Sequence, residues 1–210
     1  MYQPAHFEEK RSEQLQALMH AHPFATLVTL TDGVPYANHL PFEFDPEPAP
    51  FGTLRAHVAR ANPLWQDLQQ DAQALVIFQG AHGYVTPSWY ASKAETHKVV
   101  PTYNYLVVQA RGPLQVIEDR LWLRNFVGRL TQRFEAPRAQ PWAVDDAPPA
   151  YIEAMLNAII GIEIPLTHCI GKWKVSQNRS RADQQGVVDG FQAAGQDALA
   201  DALAMRMQSP

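Results

Sequence analysis

FATLVTLTDGVPYANHLPFEF, residues 24–44, decides the fold class. Phe24–Thr31 is rich in β-branched and aromatic side chains, as a strand is, and Asp32-Gly33 is a pair that tolerates positive φ at both turn positions. Tyr36–Phe44 then reads as the returning strand. Pro41 interrupts it and cannot donate to a ladder, so this strand belongs at an edge or opening of a sheet.

Outward from the hairpin the same pattern repeats. Thr53–Val58 reads as a strand leading through Ala59-Arg60-Ala61-Asn62-Pro63 into a short helix around Leu64–Gln69. Ala72–Gln79 is a continuous apolar run bounded by Gly80, the signature of a buried strand. Thr102–Ile117, broken at Gly112-Pro113, gives two strand pieces, and Gly161–Leu166 and Cys169–Val175 give two more. Helical periodicity predicts an N-terminal helix over about 8–21, with Leu15, Leu18 and Met19 on one face, and a C-terminal helix over about 197–207 with Leu199 and Leu203. Asp119–Phe134 is the clearest helix, and Ala150–Ala158 is a short one. Asp45–Pro50 and Ala136–Pro149 read as loops, and Ser180–Asp183 as a capping box before a turn. Strands outnumber helices and are joined by hairpin-like connections. A mainly β antiparallel barrel with peripheral helices, a single domain over 1–210, is therefore expected rather than a doubly wound sheet.

Composition narrows the function. A net charge of −4 argues against a general polyanion binder, because affinity for phosphate backbones comes from clustered Lys and Arg. The single cysteine, Cys169, permits neither an internal disulfide nor a cysteine zinc cage, and the eight histidines have no metal-site spacing. The N-terminus lacks a signal-peptide layout and no apolar run is long enough to span a membrane, so a soluble cytoplasmic protein is expected.

Chemistry concentrates in a few segments. GYVTPSWYASK, residues 83–93, and KWKVSQNR, residues 172–179, combine rings, hydroxyls, amides and cations within a few residues. A planar, anionic ligand needs that mixture, and a ring-bearing phosphate cofactor is the class expected. Ser88 offers a hydroxyl and Trp89 a flat wall, while Lys172, Lys174, Gln177 and Asn178 offer donors at a strand end. Arg55, His57 and Arg60 place positive or donor groups near another strand end, ahead of a helix that Asn62 can cap. Asn38, His39 and Leu40 lie on the expected sheet edge. No G-x-S-x-G or S-x-x-K spacing marks a hydrolase, and no glycine-rich dinucleotide turn follows the first strand.

Taken together, MYQPAHF, NHLPF, LRAHVARANP, GYVTPSWYASK with VPTYNY, and KWKVSQNR resemble the PaiB-like FMN-binding negative transcriptional regulators, essentially from end to end. The resemblance implies a Greek-key split β-barrel of the pyridoxamine-phosphate-oxidase type, used as a homodimer with FMN at the subunit interface. It also implies that Arg60, with His57 or Arg55 behind it, holds the flavin phosphate, and that Asn38 to Leu40 lies along the isoalloxazine. The Lys172–Asn178 strand end then completes the pocket, from the same or the partner subunit. DNA binding is implied only by the regulator label; the residues show no helix-turn-helix pattern and no basic face. A flavin-dependent oxidoreductase acting on a small molecule is the alternative, because flavin needs no protein-derived nucleophile.

Overall fold

In the computed structural model, residues 1–66 and 73–208 are described. The chain divides into two compact units, a terminal one of Met1–His22, Phe78–Gln109 and Ile170–Pro210 and a central one of Pro23–Ile77 and Ala110–Cys169.

The central unit is built on the hairpin. Strands β2 (Phe24–Thr31) and β3 (Val34–Pro41) pair antiparallel from Phe24↔Pro41 to Thr31↔Val34. Asp32 at φ 50° and Gly33 at φ 79° form the tight turn that the pair was expected to make. The other side of β2 takes the first residues of β6 (Gln73–Val85), leaving β3 as the edge. A second sheet runs β4 (Glu43–Asp45), β5 (Thr53–Ala59), β9 (Ile159–Pro165), β8 (Gln115–Ile117). Strict alternation sorts β5: Leu54, Ala56 and Val58 are buried on one face, while Arg55 and His57 point to the other. Helix α3 (Arg120–Glu135), capped by the Asp119 carboxylate on Trp122 N–H, packs Phe126 edge-on against His57 at 5.8 Å. Helix α4 (Pro149–Asn157) adds Ile152 and Leu156 to a small cluster around Leu123.

In the terminal unit the strand order is β1 (Glu8–Glu9), β10 (His168–Lys174), β7 (Thr102–Pro113), then the later part of β6. Helices α1 (Ser12–Ala21), α2 (Ser92–Thr96), α5 (Arg181–Ala193) and α6 (Asp197–Gln208) surround it. Val85, Tyr90, Val175, Val187, Phe191, Leu199 and Leu203 form one buried core. No helix among the described residues is long and apolar enough to cross a membrane.

Four local expectations need correction. The first helix begins at Ser12, not near residue 8, because Glu8 and Glu9 pair with Lys172 and Gly171 as a strand. The buried Glu9 carboxylate receives Arg11 at 2.7 Å and 2.9 Å and Arg206 at 2.8 Å, an arrangement that holds the segment extended. The strand expected to stop at Gly80 runs on to Val85. The segment after Pro63 forms a single 3-10 turn, Pro63–Trp65, and the rest of the expected helix lies outside the described residues. Ser180 caps not a turn but the thirteen-residue helix α5. Gly186 and Gly190 hide that helix from propensity, yet both are needed: a Cβ on Gly190 would stand 2.2 Å from the Trp89 ring.

Candidate functional site

The expected site residues fall into two groups, one in each unit. In the central unit the turn after β5 orients two amides in series. The Leu64 N–H donates to Asn62 Oδ1 at 2.9 Å, which fixes that side chain with its Nδ2 outward. Asn62 Nδ2 in turn donates to Asn38 Oδ1 at 2.9 Å. Among the described residues, Asn38 Nδ2 is thereby left as a buried donor without a partner. A flip of either amide would set two like groups against each other, so the orphan is built in. Beside it on β3, His39 Nδ1 meets Thr26 Oγ1 at 3.1 Å in an exposed position, and Leu40 is half-buried.

The three basic residues read as a phosphate cradle have other attachments. Arg55 bridges Asp45 at 2.7 Å and Glu163 at 2.9 Å. Burial alone would lower its pKa, and the two carboxylates overcome that and raise it. Arg60 donates to Glu118 at 2.8 Å and to the Asn157 carbonyl at 2.8 Å, with its guanidinium 5.8 Å from the Trp65 ring. His57 lies under α3 with Nδ1 buried and, among the described residues, unpartnered, and burial pushes its pKa down, which favours the neutral ring.

In the terminal unit, Trp89 packs edge-on against Phe191 at 5.2 Å, with Gly190 of α5 beneath it. Ser88 Oγ accepts from Lys93 Nζ at 3.1 Å. Gln177 closes the end of β10, accepting from Val175 N–H and donating to the carbonyls of His6 and Trp173. Lys172 is buried, donates to the Tyr2 carbonyl at 2.9 Å and lies 5.6 Å from the rings of Tyr2 and Tyr105. Lys174 Nζ donates to Thr102 Oγ1 at 2.5 Å and to the Tyr103 carbonyl at 2.7 Å. Together with Asn178 it lines a notch that also includes Ser176 and Arg179 of the same KWKVSQNR segment, and Asn104, which had no site role from sequence. Asn104 carried a signal: it occupies an inward position of β7, in alternation with the apolar Leu106, Val108 and Ala110. In the central unit, Cys169 is held as a thiol, its pKa pushed up to about 11 by burial.

The family model described as "Putative FMN-binding domain" matches residues 1–168. Protease synthase and sporulation protein PAI 2 of Bacillus subtilis is 30% identical over 192 residues, covering 91% of this chain and 89% of that protein. The chain belongs to the PaiB-like FMN-binding family. An uncharacterized protein of Emericella nidulans is 34% identical over 233 residues, covering 94% of this chain and 93% of that one. Among solved structures, the FAD and heme binding protein from Mycobacterium smegmatis aligns with a TM-score of 0.57 at 19% identity, over 80% of this chain and 73% of that one. The fold is the mainly β split barrel with helices that the resemblance implied.

FMN is accordingly the cofactor of this PaiB-like chain. The central unit fits it: Asn38 Nδ2 is a fixed donor lacking an acceptor on an edge strand, and flavin rings and ribityl chains are rich in acceptors. The matched stretch contains Asn38, His39, Leu40, Arg55, His57, Arg60, Asn62, Ser88 and Trp89 and stops before the Lys172–Asn178 strand end.

Proposed function

We propose that this protein is a homodimeric flavoprotein that holds FMN along the β3 edge of the central unit, with a small molecule as its redox partner. The observation that carries the reading is the buried Asn38 Nδ2, oriented by Asn62 and left for an external acceptor. Bound FMN supplies reversible one- or two-electron transfer. The chain's own contribution is to bind and orient it: Asn38 donates to the flavin, His39 and Leu40 line the same strand, and Asn62 keeps the amide aimed. The exposed apolar side chains of the hairpin support a second copy as the partner. Phe24, Leu30 and Val34 are 68%, 60% and 64% exposed, on or beside an uncovered edge strand. Such an edge invites association unless another chain covers it.

The name of the Bacillus relative supports a second reading, a role in control of protease synthesis and sporulation. In this chain any such role runs through flavin or a protein partner, because a net charge of −4 gives no general attraction to a DNA backbone. The deciding experiment is reconstitution with FMN, followed by gel filtration with light scattering and absorbance detection. Visible flavin bands eluting with a dimer are expected. Elution of protein without flavin after incubation with excess FMN would overturn the reading.

A further inference from the structure

We propose that the notch at the ends of β7 and β10 in the terminal unit is an oxyanion site, in which Arg179, Lys174 and the Asn178 amide receive a phosphate-sized group. The first observation is charge without neutralisation. Arg11, Arg55, Arg60, Arg129 and Arg206 each meet a carboxylate within 2.9 Å. Lys172, Lys174 and Arg179, all within the eight residues 172–179, form no such pair among the described residues. Asp183 is the acidic group whose charge Arg179 feels, but both its oxygens are taken by Ser92, at 2.9 Å from the backbone N–H and 2.9 Å from the hydroxyl.

The second observation is that these cations are positioned without being discharged. The Arg179 guanidinium sits 4.8 Å from the Tyr90 ring centre, a contact that fixes it and leaves its charge intact. Lys174 spends two N–H groups on neutral oxygens of Thr102 and Tyr103, leaving one donor free. Burial lowers its pKa first, and repulsion from Lys172 and Arg179 adds to that, which is the stress an anion relieves.

The walls are also prepared. Asn104 is completely buried, and its amide exchanges hydrogen bonds of 2.9 Å and 3.2 Å with the Ser176 hydroxyl. Ser176 stands at φ 66°, a left-handed conformation that costs a non-glycine residue energy and that turns the chain back at the end of β10. The notch, partly open to solvent, has a volume of about 50 Å³. At ~10–15 Å³ per water, that is room for roughly three to five waters or one tetrahedral oxyanion.

The group has two chemical sources, the phosphate of FMN or the acid group of a second ligand, and titration calorimetry separates them. Flavin-free protein is titrated with inorganic phosphate, comparing wild type with Arg179→Gln and with Arg181→Gln, a control that removes the same charge from an exposed position outside the notch. Arg179→Gln should weaken phosphate binding at least about tenfold, the loss of one charge-assisted contact, while Arg181→Gln leaves it unchanged. Thermal melts verify folding, and Arg179→Lys, which keeps the charge, should restore part of the affinity. If the cofactor supplies the group, Arg179→Gln weakens FMN but not riboflavin, and saturating FMN blocks phosphate. If a second ligand supplies it, FMN affinity is unchanged and the FMN-loaded protein still binds phosphate. Wild type showing no phosphate binding at millimolar concentration, or both variants losing it equally, overturns the proposal. Phosphate binding that depends on Arg179 in a protein that takes up no flavin would keep the site and refute the flavin reading instead.

Discussion

At Asn38 a donor waits for an acceptor that none of the described residues provides, and its replacement should separate stability from binding. Asn38→Ala removes an unsatisfied buried donor from the flavin-free protein, though it leaves Asn62 Nδ2 without its acceptor. The two effects oppose each other, so the flavin-free melting temperature should change little. FMN affinity should fall by about 1–3 kcal/mol, read by quenching of flavin fluorescence. Glu9 is the opposite case, a buried group with all its partners. Burial alone would raise its pKa, but the hydrogen bonds from Arg11 and the charges of Arg206 and Arg11 outweigh that and hold it below the usual carboxylate value. A carboxyl whose folded pKa lies below its unfolded one adds stability in full above the unfolded value of ~4.3, and that stability is lost as the pH falls. Glu9→Gln should therefore cost about 1–3 kcal/mol near neutral pH, and should flatten the decline of the urea midpoint below about pH 5.

Among the elements, helices α3 and α5 each contain a glycine, and the two should respond to alanine with opposite signs. Alanine favours a helix interior by about 1 kcal/mol over glycine. At Gly128 of α3 an added Cβ meets nothing within 4 Å, so Gly128→Ala should raise the melting temperature. At Gly190 of α5 the same methyl would collide with Trp89, and overpacking of about 1–3 kcal/mol outweighs the propensity gain, so Gly190→Ala should lower it. The same contact explains why α5 was not legible in the sequence. Its glycines answer to Trp89, Gly186 to the backbone carbonyl and Gly190 to the indole, about a hundred residues earlier, and no local pattern records that. Elements whose causes are local were legible: the Asp32-Gly33 turn with its two strands, the strand begun at Thr53, and the helix that follows Asp119. Site residues followed the same division. The Asn62 cap could be read from the residues around it. The engagement of Arg55 and Arg60 could not, because Asp45, Glu163 and Glu118 reach them only through the sheet and its neighbouring loops.

For the molecule as a whole, the proposed dimer would tie assembly to cofactor through the exposed hairpin face. Leu30→Glu combined with Val34→Glu places charges on two side chains that are 60% and 64% exposed, so the isolated fold has no reason to lose stability. Light scattering should show the dimer giving way to monomer, and if FMN sits at the subunit interface its uptake should fall in parallel. A double variant that stays dimeric would place the interface on another face.

The bond between Glu9 and Arg206 joins residues 197 positions apart. On the ribosome the second residue of the first strand is therefore made long before the arginine that completes its partners. At about 5–20 residues per second the interval is on the order of 10–40 seconds. Through that interval the terminal unit lacks its last helices, whereas every segment of the central unit has been synthesised by Cys169. The order of biosynthesis thus favours a nascent chain whose middle matures before its beginning, and a prematurely terminated product keeps Glu9 with one of its two cations missing.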